Sequence, residues 1–414
     1  MNDVVCAVDI GTANIRVIIA QKLDDESFQV VGVGQAGSVG LKKGVVVNIE
    51  DTVRAISKAI EDAEMMSGFE TSFCYVGIGG AHIEGMNSKG VYPISDKGGG
   101  NTEVDYEDIK AVINSAKAIV IPLDRKVIKV IPQSYTVDKQ KGIKDPHNMI
   151  GVRLEAEAHI ITASVTAIQN TIKCVTRANL EVEKAMYNGL SAVKAVMSQE
   201  EIEAGSLLID IGSGVIDVVL MQGGAPSLIT VLPIGGDTIT NDLALVEKIS
   251  FELAEEIKLT DGCCWAPLLE DDNLEILLPG LSGRAPIKLM KRQVCDIFYA
   301  RIREIFYIIR KKIEHIIDAR PLGGNIVICG GGALLTGIVE VASEVFESSA
   351  VRIGVPGVLG GIKGDYRSPE FATVMGLVSE AMEGSQYSTG KSKNKRGSEH
   401  SIRSKFKSLF RNLF

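Results

Sequence analysis

A short motif occurs twice in this chain, once near its beginning and once near its middle. In each copy an apolar run leads to an aspartate, a glycine and a hydroxyl residue, and a second β-branched run follows. The two copies are Val8-Asp9-Ile10-Gly11-Thr12-Ala13 and Ile209-Asp210-Ile211-Gly212-Ser213-Gly214. Because glycine permits a tight turn between two strands, the pattern predicts two β-hairpins with matching tips. The backbone N–H groups and hydroxyls of two such tips can clamp one triphosphate, while the carboxylates hold a hydrated Mg²⁺.

A third glycine cluster, Cys329-Gly330-Gly331-Gly332-Ala333, follows the apolar run 325–328 and opens a predicted helix. Glycines at such a position let a flat base or a ribose approach the backbone. One Asp-Ile-Gly alone is weak support for a site, because turns at strand ends use these residues for conformational reasons. Two copies with the same order of residue types, followed by the third glycine cluster, together indicate a nucleotide site.

The composition bounds the class of protein. With 414 residues and 45% hydrophobic content, the chain can bury more than one core, and the doubled hairpin favours two similar halves. No apolar stretch approaches the roughly 18 residues of a spanning helix, and Asp3 and Asp9 interrupt the start, so we expect neither a membrane span nor a signal peptide. The seven cysteines have no Cys-x-x-Cys spacing and the five histidines no metal-ligand spacing, which predicts reduced structural thiols and no metal site at the histidines.

The pattern of predicted secondary structure changes along the chain. Up to about residue 82, strands alternate with a predicted helix from Thr52 to Met66, which is typical of an α/β fold. Residues 83–162 predict a small inserted α+β module, with a helix that begins near Asp105 and extended runs at 127–137 and 150–162. Residues 241–320 are nearly all helical in pattern, and the long helix predicted over 288–317 has an apolar stripe formed by Leu289, Ile297, Ile302, Ile305, Ile309, Ile313 and Ile316.

The end of the chain is basic, although the net charge is -8. Residues 385–414 carry a charge of +7, which leaves -15 on residues 1–384 and points to an anionic partner, either a membrane or a nucleic acid.

Residues 384–400 contain no large aliphatic residue and predict a flexible linker. Residues 401–414 predict an amphipathic helix that lies in a membrane interface, with an apolar face of Ile402, Phe406, Leu409, Phe410, Leu413 and Phe414 and basic residues Arg403, Lys405, Lys407 and Arg411. The alternatives are a helix docked on the protein's own core and a nucleic-acid-binding tail; the Phe/Leu stripe at helical spacing favours lipid.

These motifs resemble those of the actin superfamily, and within it the FtsA family of bacterial division proteins. The resemblance covers nearly the whole chain and includes Leu41-Lys42-Lys43-Gly44, Gly151-Val152-Arg153-Leu154-Glu155 and Pro233-Ile234-Gly235-Gly236-Asp237-Thr238-Ile239-Thr240. It implies an α/β, actin-like fold: a duplicated, ribonuclease-H-like pair of domains with an inserted α+β subdomain 1C. The implied divisions are 1A over 1–82, 163–198 and 371–383, 1C over 83–162, 2A over 199–243 and 321–370, 2B over 244–320, a linker over 384–400 and a membrane-targeting helix over 401–414.

The resemblance also implies a function. FtsA-like proteins bind ATP with Mg²⁺ between the two halves, polymerise on the cytoplasmic face of the inner membrane and tether the C-terminal tail of the tubulin-like FtsZ there. For this chain it therefore implies self-association, anionic lipid, FtsZ and, through subdomain 1C, later division proteins as partners, with no nucleic acid, and a peripheral position at the division site.

The residues implied for the nucleotide are Asp9, Gly11, Thr12 and Asn14 in the first loop, Asp210, Gly212, Ser213 and Gly214 in the second, and Gly235, Gly236, Asp237, Glu255, Lys258, Gly330, Gly331, Gly332 and Ala333 around them. Asp9 and Asp210 are implied to hold Mg²⁺ through water. For the FtsZ tail the implied cations are Arg301, Lys291 and Arg292. For Glu255 and Lys258 the alternative is a solvated ion pair at i, i+3 spacing.

The second loop departs from the usual Asp-x-Gly-Gly-Gly-Thr-Thr-Asp pattern. Ser213 replaces a glycine, and Val215 and Ile216 replace both threonines. Asn188 stands where superfamily ATPases place a Glu or Gln, and an amide can orient water but cannot act as a general base. We therefore expect no catalytic residue and at most a weak ATPase. Two alternatives remain: a pilus-assembly scaffold of the PilM type, and a small-molecule kinase of the same superfamily, for which we see no suitable catalytic acid.

Overall fold

The computed structural model describes residues 4–23, 28–94, 103–271, 274–278, 287–319, 321–357, 360–361 and 366–388. The predicted amphipathic helix over 401–414 and residues 389–400 of the predicted linker lie outside these ranges. Within them, no helix is both long enough and apolar enough to cross a bilayer. All seven cysteines are described, and each is buried and unpaired, as predicted.

The chain begins with an antiparallel hairpin and builds the first domain around it. The side chain of Asn48 accepts a hydrogen bond from the Asp51 N–H at the start of the first helix, and Gly68 ends that helix at a φ of 72°, in the left-handed region. The predicted helix from Thr52 to Met66 is thus confirmed, with slightly wider bounds. The elements are β1 (Val4–Ile10), β2 (Asn14–Lys22), β3 (Phe28–Gly37), β4 (Leu41–Lys42), β5 (Val45–Val46), α1 (Ile49–Ser67) and β6 (Phe73–Ile78).

An α+β module follows where the sequence predicts it. Asp105 caps its helix and forms a capping box with Asp108, so the helix begins one residue later. The elements are β7 (Glu84–Pro93), α2 (Tyr106–Lys117), β8 (Arg125–Val137), β9 (Gln140–Ile143) and β10 (Arg153–Ser164). Strand β10 lies between β7 and β8 in an antiparallel sheet, and α2 packs on that sheet. We call residues 83–162 the inserted subdomain.

The chain then returns to the first domain and crosses to the second through α3 (Val165–Arg177), β11 (Glu181–Tyr187), α4 (Asn188–Val196) and α5 (Gln199–Ala204). The second predicted hairpin comes next and is confirmed. It is formed by β12 (Ser206–Ile211) and β13 (Ile216–Gln222), and β14 (Ala225–Leu232) pairs with β13.

The segment 241–320 is less helical than its sequence pattern predicts. Its helices α6 (Gly236–Glu247), α7 (Phe251–Asp261) and α8 (Lys291–Ala319) are interrupted by a hairpin of β15 (Glu275–Leu278) and β16 (Ile287–Met290). The prediction that the long helix starts at 288 was wrong, since Lys288 and Leu289 lie on β16. Leu289 is buried opposite Ile276 on β15. Its apolar side chain therefore packs within a strand pair, although its spacing in the sequence also fits the helix that follows.

The last elements close both domains. They are β17 (Ile326–Cys329), α9 (Ile338–Phe346), β18 (Val351–Ile353), β19 (Gly360–Gly361) and α10 (Ala372–Ser388), and a short 3-10 helix over Gly331–Leu334 follows β17. The backbone of α10 runs past 383, so its last turn enters the segment predicted as linker.

Two large sheets organise the molecule. The first has the order β11-β6-β1-β2-β3-β19, and the second has the order β18-β17-β12-β13-β14-β7-β10-β8-β9. The second sheet therefore runs from the second domain into the inserted subdomain, through a pairing of Thr230 on β14 with Glu84 on β7. One apolar cluster contains Val8 of the first domain, Leu208 of the second and Ile161 of the inserted subdomain, so all three parts share a core at their junction.

Candidate nucleotide-binding cleft

The two hairpins have the same geometry at their tips. The Gly11 N–H donates to the Asn14 carbonyl at 3.0 Å, and the Gly212 N–H donates to the Val215 carbonyl at 3.0 Å. The tips also face each other, because a Cβ added to Gly214 would lie 2.9 Å from the Thr12 side chain. The repeated motif thus forms two matching turns on opposite sides of one cleft.

A cavity lies between these tips, and most of the predicted nucleotide residues line it. Those lining it are Asp9, Gly11, Thr12, Asn14, Asp210, Gly212, Ser213, Gly236, Glu255, Lys258, Gly330, Gly331 and Gly332. The remaining four predicted residues, Gly214, Gly235, Asp237 and Ala333, are not part of the lining.

Gly214 lies at the tip of the second hairpin against Thr12, and the other three residues support the walls of the cleft. The Asp237 N–H donates to the Ser213 carbonyl at 2.9 Å, so the start of α6 is bonded to the second tip. Gly235 packs against the carbonyls of Gly212 and Ser213, where a side chain would not fit. Ala333 is buried and its N–H donates to the Gly330 carbonyl at 3.1 Å, which holds the turn of the third glycine cluster.

Three carboxylates occupy the floor of the cleft. Asp9 and Asp217 are buried, and Asp210 lies between them with part of its surface facing the cavity. Burial raises the pKa of Asp9 and that of Asp217 to about 7, and it raises the pKa of Asp210 to about 6. The neighbouring carboxylates add to the rise at Asp9 and Asp217, because like charges in a low-dielectric site disfavour ionisation.

One arginine partly balances this charge. Arg16 is buried, forms an ion pair with Glu370 and lies over the Phe371 ring at 5.2 Å. The hydroxyl of Thr373 donates to Asp210 Oδ2 at 3.1 Å. Because Glu370 already neutralises Arg16, the floor retains an excess of negative charge that a bound cation fits.

The side chains at the floor of the cleft limit how a metal ion could be held there. Among the described residues, no cluster of three or more His, Cys, Asp or Glu side chains has a geometry that could hold a metal ion directly. Asp9 and Asp210 both line the cavity, and their carboxylates fit a hydrated Mg²⁺ that would be held through water.

Glu255 and Lys258 form the opposite wall, on one face of α7. Lys258 Nζ donates to Glu255 Oε2 at 2.6 Å, to Thr240 Oγ1 at 2.8 Å and to the Gly236 carbonyl at 3.2 Å. Its three protons are thus all used within the protein. The pair lines the cavity rather than standing in open solvent, and Lys258 holds the Glu255 carboxylate in place at this wall.

Comparison with known proteins identifies the family. A family profile described as "Cell division protein FtsA" matches residues 207–376, and a profile described as "SHS2 domain inserted in FTSA" matches residues 80–162. A cell division protein FtsA from Borreliella burgdorferi is 38% identical over 376 residues, which covers 91% of this chain and 90% of that protein. One from Pseudomonas aeruginosa is 36% identical over 397 residues, covering 96% and 93%. The chain belongs to the FtsA family of cell division proteins.

Solved structures support the actin-like fold of this FtsA-family chain. The PilM-PilN type IV pilus biogenesis complex matches with a TM-score of 0.65 at 14% identity, over 91% of this chain and 98% of that one. MreB5 of Spiroplasma citri bound to ADP matches with a TM-score of 0.50 at 13% identity, over 94% and 99%. At these identities the likeness concerns the fold alone.

The cations that the FtsA resemblance assigns to partner binding all have carboxylate partners within the chain. Arg301 donates to Asp242 through two nitrogens, one of them at 2.9 Å, and it also bonds Glu304. Lys291 pairs with Asp261 at 2.6 Å, and Arg292 pairs with Asp296 at 3.1 Å. Arg301 therefore ties α8 to α6, and an acidic peptide would have to compete with Asp242 for it.

Among the residues lining the cleft, sequence reasoning missed four charged or hydroxyl side chains: Arg16, Asp217, Glu370 and Thr373. A signal existed for the first two. In each hairpin the residue seven positions after the motif aspartate lies opposite it across the ladder, which pairs Asp9 with Arg16 and Asp210 with Asp217. Glu370 and Thr373 come from a distant segment, and no local pattern marks them.

The raised carboxylate pKa values predict how stability depends on pH. The folded state holds these protons more tightly than the unfolded state, so their contribution to stability is complete below about pH 4 and is lost as pH rises through about 7. We expect Asp217→Asn to raise the free energy of unfolding of the nucleotide-free protein at pH 8 by about 1 kcal/mol or more, and to flatten the decline between pH 5 and 8. Urea unfolding at several pH values measures this.

Glu183 is the matched control, because it is exposed on β11. Glu183→Gln should leave the pH profile of the parent protein unchanged. If Asp217→Asn loses stability steadily as pH rises from 5 to 8, as the parent is expected to do, the floor of the cleft does not carry the excess charge.

Proposed function

We propose that this chain binds ATP with Mg²⁺ in the cleft, polymerises on the cytoplasmic face of the inner membrane and tethers FtsZ filaments to it. One observation carries the nucleotide part: two matching hairpin tips face each other above a buried excess of carboxylate. A triphosphate alone would be repelled by that floor, whereas a triphosphate with Mg²⁺ is attracted to it. Family membership favours this function over the pilus scaffold and the small-molecule kinase.

Hydrolysis is proposed to be slow. Asn188 Nδ2 is 3.4 Å from Asp9 Oδ1, so the amide sits beside the phosphate end of the cleft. An amide there can hold a water molecule but cannot accept its proton. The nucleotide would then act mainly as a switch for assembly.

Metal dependence tests the nucleotide site. Chelation of Mg²⁺ is expected to weaken binding of a fluorescent ATP analogue by about tenfold or more, because the analogue then meets uncompensated carboxylates. Asp210→Asn should remove most of this dependence, and Glu183→Gln should preserve it. Binding that is unaffected by chelation would contradict the role of Asp9 and Asp210, and rapid steady-state hydrolysis in the same samples would contradict slow turnover.

The basic C-terminal tail supports attachment to anionic lipid. Each lysine or arginine near such a surface contributes on the order of 1 kcal/mol, and the apolar side chains add burial. One tail should bind reversibly, whereas a polymer presenting many tails should bind much more tightly through avidity. Attachment and self-assembly are therefore proposed to reinforce each other.

Co-sedimentation with anionic liposomes tests this attachment. The full chain is expected to sediment with liposomes, more strongly with ATP, and to carry FtsZ down, while a chain ending at Glu383 should stay in solution. A full chain with Phe406→Ser and Phe410→Ser keeps the tail's charge and should also lose most binding. If DNA competes fully with the liposomes, or if the shortened chain binds equally well, the lipid assignment is wrong.

For FtsZ we propose the surface around Arg301, where α6 meets α8. Leu245 is exposed and follows Asp242 by three residues on α6, so an apolar side chain lies on the same helix face as the carboxylate of this ion pair. A guanidinium with apolar neighbours suits a tail that is both acidic and apolar. Later division proteins are proposed to bind the inserted subdomain.

Two variants distinguish a role of Arg301 in FtsZ binding from its role in holding α6 on α8. Arg301→Glu should abolish FtsZ co-sedimentation, because it repels both Asp242 and an acidic tail. Asp242→Asn also breaks the ion pair between α6 and α8, but it leaves the guanidinium with Glu304 in place of two carboxylates and should keep or strengthen FtsZ binding. If both variants lose FtsZ equally, the ion pair only holds α6 on α8, and if Arg301→Glu changes nothing, Arg301 is removed from the proposal.

A further inference from the structure

Side chains of the inserted subdomain form hydrogen bonds with carbonyls of the second domain, along the β13–β14 hairpin. Asn87 Nδ2 donates to the Ser227 carbonyl at 3.0 Å, and Gln133 Nε2 donates to the Pro226 carbonyl at 2.7 Å. Lys144 Nζ donates to the Gly223 carbonyl at the turn of the hairpin. We call these three side chains and the carbonyls that they bind the latch.

Buried neighbours fix the orientation of the latch. Burial lowers the pKa of His159 to about 4, so the ring is neutral at physiological pH. Its Nδ1 lies 2.6 Å from Asn87 Oδ1, and Gln133 Nε2 donates to the same oxygen at 3.0 Å. Because the amide oxygen accepts both bonds, the amide nitrogen of Asn87 must point at Ser227.

The strand that carries Asn87 approaches β14 unusually closely. A Cβ added to Gly85 would lie 2.9 Å from the Ile229 carbonyl oxygen and 2.4 Å from His159 Nε2. The absent side chain lets β7 continue the second domain's sheet through the pairing of Glu84 with Thr230. The inserted subdomain is therefore covalently joined to the first domain and hydrogen-bonded to the second.

The latch is formed in a structure whose cleft is closed at the phosphate end. The Gly44 N–H donates to Thr12 Oγ1 at 3.1 Å, and Gly214 of the opposite tip packs on the same side chain. Rotation of one domain away from the other would separate the tips, and it would also pull the β13–β14 hairpin away from the inserted subdomain. A hydrogen bond does not survive a shift of about 1 Å beyond its usual length.

We propose that the latch couples the inserted subdomain to the cleft, so that nucleotide bound between the hairpin tips stabilises the latch and an open cleft releases it. The inference rests on the proposed nucleotide function and adds a regulated position for the surface that later division proteins are proposed to bind. By linkage, breaking the latch must weaken nucleotide binding as much as nucleotide stabilises the latch.

The experiment uses the full chain with Asn87→Ala and Gln133→Ala together. Affinity for a fluorescent ATP analogue with Mg²⁺ is expected to fall about fivefold or more, since each lost hydrogen bond shifts the closed state by about that factor. In the parent protein, Mg·ATP should slow amide hydrogen exchange both at the phosphate tips and at residues 84–90. In the latch variant, the slowing should persist at the tips and disappear at 84–90.

Lys141→Ala is the matched control, because Lys141 is exposed on β9 and lies outside the latch. It should behave like the parent in both measurements. Exchange at β1 and β2 without nucleotide, equal in all three proteins, shows that the latch variant is folded.

Two results overturn the proposal in distinguishable ways. If Mg·ATP protects the tips but not residues 84–90 of the parent, and the latch variant binds ATP as the parent does, the cleft and the inserted subdomain are independent. If Mg·ATP protects neither region and the analogue does not bind, the nucleotide function fails, and the coupling fails with it.

Discussion

Three carboxylates and one arginine meet where the two hairpins face each other, and the rest of the cleft is arranged around their charge. Asp9, Asp210 and Asp217 cannot all ionise at low cost, because Asp9 and Asp217 are buried and each carboxylate repels its neighbours. The ion pair of Arg16 with Glu370 and the hydroxyl of Thr373 reduce that cost without removing it. The remaining excess of negative charge is what the proposed Mg²⁺ would compensate, and it is the reason why the nucleotide-free protein is expected to be sensitive to pH.

Much of the fold can be read from the sequence because its signals are local. The apolar and β-branched runs on either side of Gly11 and Gly212 predict both hairpins, and Asp105 marks the start of α2 through its capping bonds. Local signals failed at Leu289, where helical spacing continued by chance into a strand. The partner of that strand, β15, ends at Leu278, nine positions before β16 begins at Ile287, and a short sequence window does not include both strands.

The site is less predictable than the fold, because its decisive contacts are long-range. Arg16 and Glu370 are 354 positions apart, and only the folded chain brings them together. Glycine motifs pointed to residues that line the cleft, and Gly11 and Gly212 mark the tight turns at the two hairpin tips. Motifs did not reveal that Arg301 is already bound to Asp242, which changes how its role must be tested.

The hairpins share one backbone geometry but differ at the position across from the motif aspartate, where one carries Arg16 and the other Asp217. Two identical hairpins would enclose a space with twofold symmetry, in which an elongated anion could lie either way round. The exchange of a positive for a negative side chain abolishes that symmetry. The repeated hairpin thus forms both sides of the cleft, and the difference in charge between Arg16 and Asp217 makes the two sides electrostatically distinct.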